Sequence, residues 1–407
     1  MSLPEDLAAI ATGRSSDFFA NDFHEHSEEI REHFAGRRVL VLGGAGSIGA
    51  ATTALLSDFV PHSLHVVDHN ENALAELVRD LRSRPGGLKV RDFRAEPIDF
   101  GSSIMRRFIK TEKPYDCVLN FAALKHVRSE KDICSILQMF DTNLLKPIRC
   151  WKWVEDAGVS PRYFSVSTDK AADPANLMGA SKRIMEYIMF CGSGFMSSSP
   201  RTTSSRFANV AFSNGSLLDS FCRRFEKRQP LACPRDTDRF FISLRESGQI
   251  CLLAASCGPD RHILIPKLDV KYDTRILEEI AVGFLQSKGL DAEIYRDEPA
   301  ARANVSRDLM RNRYPLLLTE LDTQGEKSSE VFVGEGEEIV EFGMGSVRAV
   351  RPGSVPYDRL HEFLQEIEKL VLCPDVVVDK DWVVAAVRRI VNNFDHAAHA
   401  QTLDERA

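Results

Sequence analysis

The segment Gly43-Gly44-Ala45-Gly46-Ser47-Ile48-Gly49 satisfies both G-x-G-x-x-G and G-x-x-G-x-x-G. It follows the apolar run Val39-Leu40-Val41-Leu42 and opens a helical pattern that continues to Phe59. Glycines at this spacing allow a tight turn and a close backbone approach to a pyrophosphate. The helix start, at Ser47 and Ile48, then offers free N–H groups and partial positive charge to the phosphates. Asp68 ends the next apolar run, 19 residues after Gly49, where a carboxylate accepts from the adenosine ribose hydroxyls. Asp99 ends a third run, at a position suited to an adenine contact. The chemistry expected here is dinucleotide binding. A carboxylate at Asp68 would repel a 2′-phosphate and favours NAD, while the neutral neighbours His69, Asn70 and Asn72 leave NADP open.

A second group lies further along. Ser167-Thr168-Asp169-Lys170 ends the run Tyr163 to Ser167, on the edge of an open α/β sheet where ligands bind. Asn176 to Arg183 follows on a helix, with Met178 and Lys182 four apart on one face.

The elements that must carry these residues can be read from periodicity. Strands are expected at 39–42, 64–68, 90–99, 117–121 and 163–167, with helical stretches between them, which predicts a Rossmann-type doubly wound parallel sheet. After about Thr202 the alternation weakens. Gln229-Pro230-Leu231-Ala232-Cys233-Pro234 reads as loop, Ile263–Pro266 as a late strand and Arg275–Gly289 as a helix. The expected organisation is a helical lead-in over 1–35, a dinucleotide-binding domain over 36–260, and a smaller substrate lobe over 261–335 with parts of 211–245. A helical extension over 336–407 completes it, with helices at 357–372 and 381–394.

Composition narrows the class. The net charge of −7, with 43% hydrophobic and 27% charged residues, fits a soluble globular protein and argues against nucleic-acid or anionic-membrane partners. No apolar run reaches the ~20 residues of a membrane-spanning helix, and residues 1–15 lack a secretory pattern. The nine cysteines include no CxxC pair and read as free thiols of a reducing cytoplasm. No metal site is expected, and His24 and His26 read as a solvated helix face.

The ordered set of motifs resembles a known family. To the glycine turn, Ser167–Lys170 and Met178–Lys182 are added Asn120-Phe121-Ala122-Ala123-Leu124-Lys125-His126-Val127 and Arg206-Phe207-Ala208-Asn209-Val210. Arg239-Phe240-Phe241 and Gly325-Glu326-Lys327 complete it. Over roughly residues 36–335 the chain resembles the extended short-chain dehydrogenase/reductases, and within them the nucleotide-sugar 4,6-dehydratases of polysaccharide biosynthesis. These enzymes oxidise the sugar at C4, lose water across C5 and C6, and return the hydride to C6.

The resemblance implies a role for each position. Thr168 would orient the C4 oxygen, Lys182 would hold the nicotinamide ribose, Asp169 would act as acid at C6 and Lys170 as base at C5. Asn120, Ala122 and Ala123 would line the nicotinamide, and Lys125 and His126 would face the sugar or diphosphate, with a plain surface turn as the alternative. Asn143 matches a structural asparagine. Asn209 and Arg239 would bind the diphosphate, and Glu326 with Lys327 would close the nucleotide side, with a solvated loop as the alternative. Met178 departs from the usual tyrosine, which takes the O4 proton; one branch of the dehydratases carries methionine there. The implied enzyme is a cytoplasmic, homo-oligomeric UDP-N-acetylglucosamine 4,6-dehydratase retaining the C5 configuration. An epimerase on a nucleotide sugar and a catalytically silent cofactor binder are the alternatives.

Overall fold

The computed structural model describes residues 5–125, 130–191, 195–196, 198–320 and 330–396. Arg38–Leu42 (β1), Ser63–Val67 (β2), Asp92–Glu96 (β3), Cys117–Asn120 (β4), Arg162–Val166 (β5) and Thr202–Ser205 (β6) pair in parallel, in the spatial order β3-β2-β1-β4-β5-β6. This is the expected doubly wound Rossmann-type sheet. Its strand order reverses between β1 and β4, and both end beside the glycine turn. After Arg38 β1 is an apolar run, and β2, Ser-Leu-His-Val-Val, is buried at every residue, as strands covered on both faces are.

Later strands extend the sheet and build the lobe. Asn209–Val210 (β7), Leu231–Pro234 (β8), Asp238–Ile242 (β9), His262–Pro266 (β10), Thr274–Ile276 (β11), Asp291–Tyr295 (β12) and Arg313–Thr319 (β13) follow in chain order. β10 joins β6 in parallel, so the main sheet reaches past residue 260. β7, β9 and β11 form one small sheet, and β8, β13 and β12 another. β8 corrects the reading of 229–234 as loop. It lies at the edge of its sheet, where Pro234 leaves no needed N–H unpaired.

The segment after 336 begins with strands rather than helices. Glu338–Val340 (β14) and Val347–Arg351 (β15) add antiparallel to β10, and the alternating burial of Val347, Arg348 and Ala349 shows a half-buried strand. Helices Tyr357–Leu372 and Lys380–Arg388 come next. Their apolar faces, including Leu360, Phe363, Leu364, Val383 and Val387, share one core with Leu177, Met178, Ile184 and Ile188. The helix Leu177–Phe190 therefore lies between the sheet and the tail and is buried along nearly its whole length.

On the opposite face Phe19, Ile30 and Phe34 of the N-terminal helices pack with Leu56 and Ile250. His33 is buried there and accepts from Arg162 Nη1 at 3.0 Å. Burial, with Arg162 and Arg201 beside it, pushes its imidazole down to about 3. The folded ring stays neutral while the unfolded one takes a proton below about pH 6.5, so acidification favours unfolding. Relative to His33→Gln, the natural chain should lose about 1 kcal/mol of stability per pH unit between pH 6 and 4, measured by urea denaturation. Parallel curves for the two proteins would show that His33 does not titrate this way.

Candidate active site

The glycine turn joins β1 to the helix Ser47–Ser57. Gly43 has φ +69°, and a Cβ there would lie 2.4 Å from the Ala122 nitrogen at the end of β4. A Cβ on Gly49 would lie 2.4 Å from the Gly43 carbonyl oxygen. These two glycines are needed by the turn itself. Gly46 differs: its φ is −67°, and a Cβ would meet nothing closer than the Gly43 oxygen at 3.5 Å. Space over Gly46, beside the free N–H groups of the first turn, is what a pyrophosphate fills, so the residues present fit a dinucleotide. Gly46→Ala should leave folding stability within about 0.5 kcal/mol of the natural chain yet weaken dinucleotide binding at least about tenfold. Melting curves and a fluorescence titration with NAD check both parts; unchanged affinity would remove Gly46 from the site.

Asp68 is nearly buried and accepts from the Ala45 N–H at 3.1 Å and the Asn70 N–H at 3.0 Å. These bonds hold its carboxylate against the turn. His69 is largely exposed beside it. The Ser47 hydroxyl accepts from the Asn214 N–H at 2.8 Å, which ties the loop after β7 to the turn, and Ile48 packs partly into the core. Asp99 pairs with Lys146 at 2.6 Å; burial raises its carboxyl, but Lys146 and the Gly101 N–H hold it below the usual range.

At the end of β4, Asn120 is buried. It donates to Tyr163 and Ser165 and accepts from the Ala122 N–H at 3.1 Å, shaping the chain through Ala122 and Ala123. Asn143, in a wide helical turn, accepts from the Leu124 N–H and donates to the Leu124 carbonyl and to Ser181. It clamps this loop to the helix Leu177–Phe190. Lys125 is exposed; His126 and Glu326, with Lys327, lie outside the described residues.

Thr168, Asp169 and Lys170 follow β5. The Thr168 hydroxyl donates to Asp169 at 2.7 Å, and Lys170 Nζ stands 3.6 Å from the other Asp169 oxygen. Asp169 is buried, while Thr168 and Lys170 are half-buried. A Cβ on Gly179 would strike the Lys170 carbonyl oxygen at 2.5 Å, so the helix packs directly on this turn. Lys182, fully enclosed, donates to the Val166 carbonyl at 3.1 Å, and burial pushes its ammonium down to about 8 against the opposing Glu186. Met178 is buried in the core shared with the tail, and its N–H donates to Glu130 at 2.9 Å. Asn393 of the tail donates to Asp173 in the same region.

Two groups were not anticipated. Glu186, one helical turn beyond Lys182, accepts from Ser167 at 2.6 Å and pairs with Arg206 at 2.5 Å; Arg206 also pairs with Glu337 at 2.6 Å and donates to the Phe332 carbonyl. Arg183 bonds Glu337 as well. This enclosed cluster fastens 330–337 to the helix. The second is Glu330, which accepts from the Phe240 N–H at 2.8 Å and from the Asn209 amide. Asn209 thus engages Glu330 and the Phe240 carbonyl, and Arg239, on β9, donates to the Asp238 carbonyl. The spacing Met178, Lys182, Glu186 is legible as one helix face; Glu330 carried no such signal.

Among the described residues one trio, His26, Glu29 and Cys257, brings ligand-type atoms within 4.8 Å of one another. Burial pushes the Cys257 thiol up to about 12, so the ligand form, a thiolate, is disfavoured. None of the helices in the described residues is long and apolar enough to cross a membrane.

Comparison with known proteins gives a consistent picture. The chain is 28% identical over 269 residues to the probable polysaccharide biosynthesis protein EpsC of Bacillus subtilis, covering 66% of this chain and 43% of that one. It is 25% identical over 253 residues to an inverting UDP-N-acetylglucosamine 4,6-dehydratase of Campylobacter jejuni, covering 61% and 72%. A UDP-glucose 4-epimerase of Rickettsia bellii is 26% identical over 264 residues, covering 63% and 73%. The solved structure of Pen from Bacillus thuringiensis superposes with a TM-score of 0.61 at 18% identity, covering 82% of this chain and 98% of that one, which supports the fold. The sequence profile described as polysaccharide biosynthesis protein matches residues 39–296, more than half of the chain, which therefore belongs to that family.

Proposed function

We propose that this chain is a nucleotide-sugar 4,6-dehydratase that acts on UDP-N-acetylglucosamine, uses NAD in preference to NADP, and retains configuration at C5. The observation that carries the reading is the linked set Thr168–Asp169–Lys170 at the end of β5, one hydroxyl donating to a carboxylate that also pairs with an amine. A C4 epimerase has no use for such an acid–amine pair. The dehydratase relatives, which are inverting enzymes, support the dehydration but not the retention at C5.

Bound NAD supplies the acceptor for C4 oxidation and the donor for C6 reduction. Thr168 receives the O4 proton and passes its own to Asp169, a relay that needs no tyrosine at position 178. Lys170, as the neutral amine, takes the C5 proton. Asp169 returns its proton to the departing C6 hydroxyl, which leaves as water. Lys170 then reprotonates C5 from the face it came from, which gives retention. Lys182 positions the nicotinamide ribose, and Asp68 the adenosine ribose. Arg239, Asn209 and Lys125 are assigned to the substrate side. The enzyme works in the cytoplasm as a homo-oligomer; nine unpaired thiols support a reducing compartment.

Purified protein incubated with UDP-N-acetylglucosamine and NAD should yield a product lighter by one water in mass spectrometry. A product of unchanged mass would make it an epimerase, and no turnover would make it a silent binder.

A further inference from the structure

Glu130 is a buried carboxylate that the mechanism above does not use. Its Oε1 accepts from the Met178 N–H at 2.9 Å. That N–H belongs to the first turn of the helix Leu177–Phe190, where the helix itself offers no acceptor. Asn176 takes the next one, from Gly179, at 2.8 Å. The same turn rests on the Lys170 carbonyl through Gly179, where a Cβ would come to 2.5 Å. Glu130 therefore holds the surface that supports the candidate base.

The other side of Glu130 meets the tail. His396 Nε2 stands 3.6 Å from Glu130 Oε2, with the two side chains 9% and 1% exposed. Neither atom has a hydrogen-bond partner among the described residues. Separating them would leave two polar atoms unsatisfied away from water, which favours keeping them together. Phe394, in the core shared with the helix, backs the His396 ring with centroids 5.7 Å apart. Lys380 Nζ donates to the Glu130 carbonyl at 3.3 Å. Asn393 donates to Asp173, three residues past Lys170, at 3.3 Å. The tail thus grips the chain at two points that flank the Thr168–Lys170 turn.

We propose that Glu130 and His396 are positioning residues: the tail, through His396, fixes Glu130, and Glu130 fixes the first turn on which Lys170 rests. The proposal rests on the dehydratase reading. His396→Ala should slow water loss about tenfold, because a small misplacement of a reacting group is costly. The KM for UDP-N-acetylglucosamine and the affinity for NAD should stay within about twofold, since the glycine turn and β9 are separate elements.

Hydrogen exchange and a mutant cycle test this. Exchange at the Met178 amide should be slow in the natural protein and at least about tenfold faster in H396A and in E130A. If His396 acts through Glu130, the E130A/H396A double variant should lose water no more than about twofold slower than E130A alone. His396→Gln, which offers an amide N–H at similar reach, should restore the rate to within about threefold of the natural enzyme. Unchanged Met178 exchange in H396A overturns the proposal. So does a natural rate of water loss in a variant whose exchange has risen, or a double variant in which the two losses multiply. If H396A does not fold, Lys380→Ala carries the exchange and rate measurements with the same expected directions. If exchange rises as expected but even the natural protein removes no water from UDP-N-acetylglucosamine, the link from His396 to Met178 stands and the dehydratase reading falls.

Discussion

Lys170→Ala should reduce water loss from UDP-N-acetylglucosamine by roughly a thousandfold while leaving the first oxidation in place. Lys170 lies 3.6 Å from Asp169 and about one third exposed, so its removal opens no large cavity and leaves the Thr168–Asp169 bond intact. The relay that takes the O4 proton is then still present, but no amine waits for the C5 proton. Reduced nicotinamide should accumulate in the ultraviolet spectrum, and the product pool should show no mass lower by one water. Solvent deuterium should also stop entering at C5. Dehydration at the natural rate in this variant would remove Lys170 as the base.

Arg206→Ala should cost about 3–5 kcal/mol of stability. Arg206 is fully enclosed between Glu186 at 2.5 Å and Glu337 at 2.6 Å, with a further bond to the Phe332 carbonyl. The cluster of Arg183, Arg206, Glu186 and Glu337 is neutral as a whole. Deleting one guanidinium leaves two carboxylates facing a single remaining arginine, away from water. The cost is the stranding of those charges rather than the worth of the pairs themselves. Replacing Arg206 and Glu186 together by methionine removes charges of both signs and should recover part of the loss. Urea unfolding of the three proteins measures this, and a single variant within about 1 kcal/mol of the natural chain would show that the cluster relaxes.

The parts of the molecule that could be read from residues alone are those with local causes. β1 is an apolar run because both its faces are covered, and the glycine turn between strand and helix has its own spacing. Thr168, Asp169 and Lys170 could be located because they end such a strand. What stayed hidden depends on distant partners. Glu330 takes its meaning from Asn209, 121 residues earlier, and Glu337 from Arg206, 131 residues earlier. β8 was hidden by Pro230 before it and Pro234 at its end, which an edge strand tolerates. β14 and β15 sit in a short, charged stretch, although the alternation at Val347–Arg351 could have revealed the second. The last tail helix ends at Arg388, six residues before the apolar pattern does, with Ile390, Val391 and Phe394 still packed in the core.

The helix Leu177–Phe190 has almost no water-facing side, because the tail helices cover what the sheet leaves open. This divides mutational tolerance in a region far from the glycine turn. Exposed positions such as Glu368, Lys369 and Leu372 should tolerate change, whereas Phe363, Leu364 and Val387 carry the same constraints as the strands beneath. A change of one methylene among them is felt by the backbone that holds Lys182, since close-packed interiors transmit small displacements. On the proposed function, the two tail helices are therefore part of the foundation beneath the candidate site.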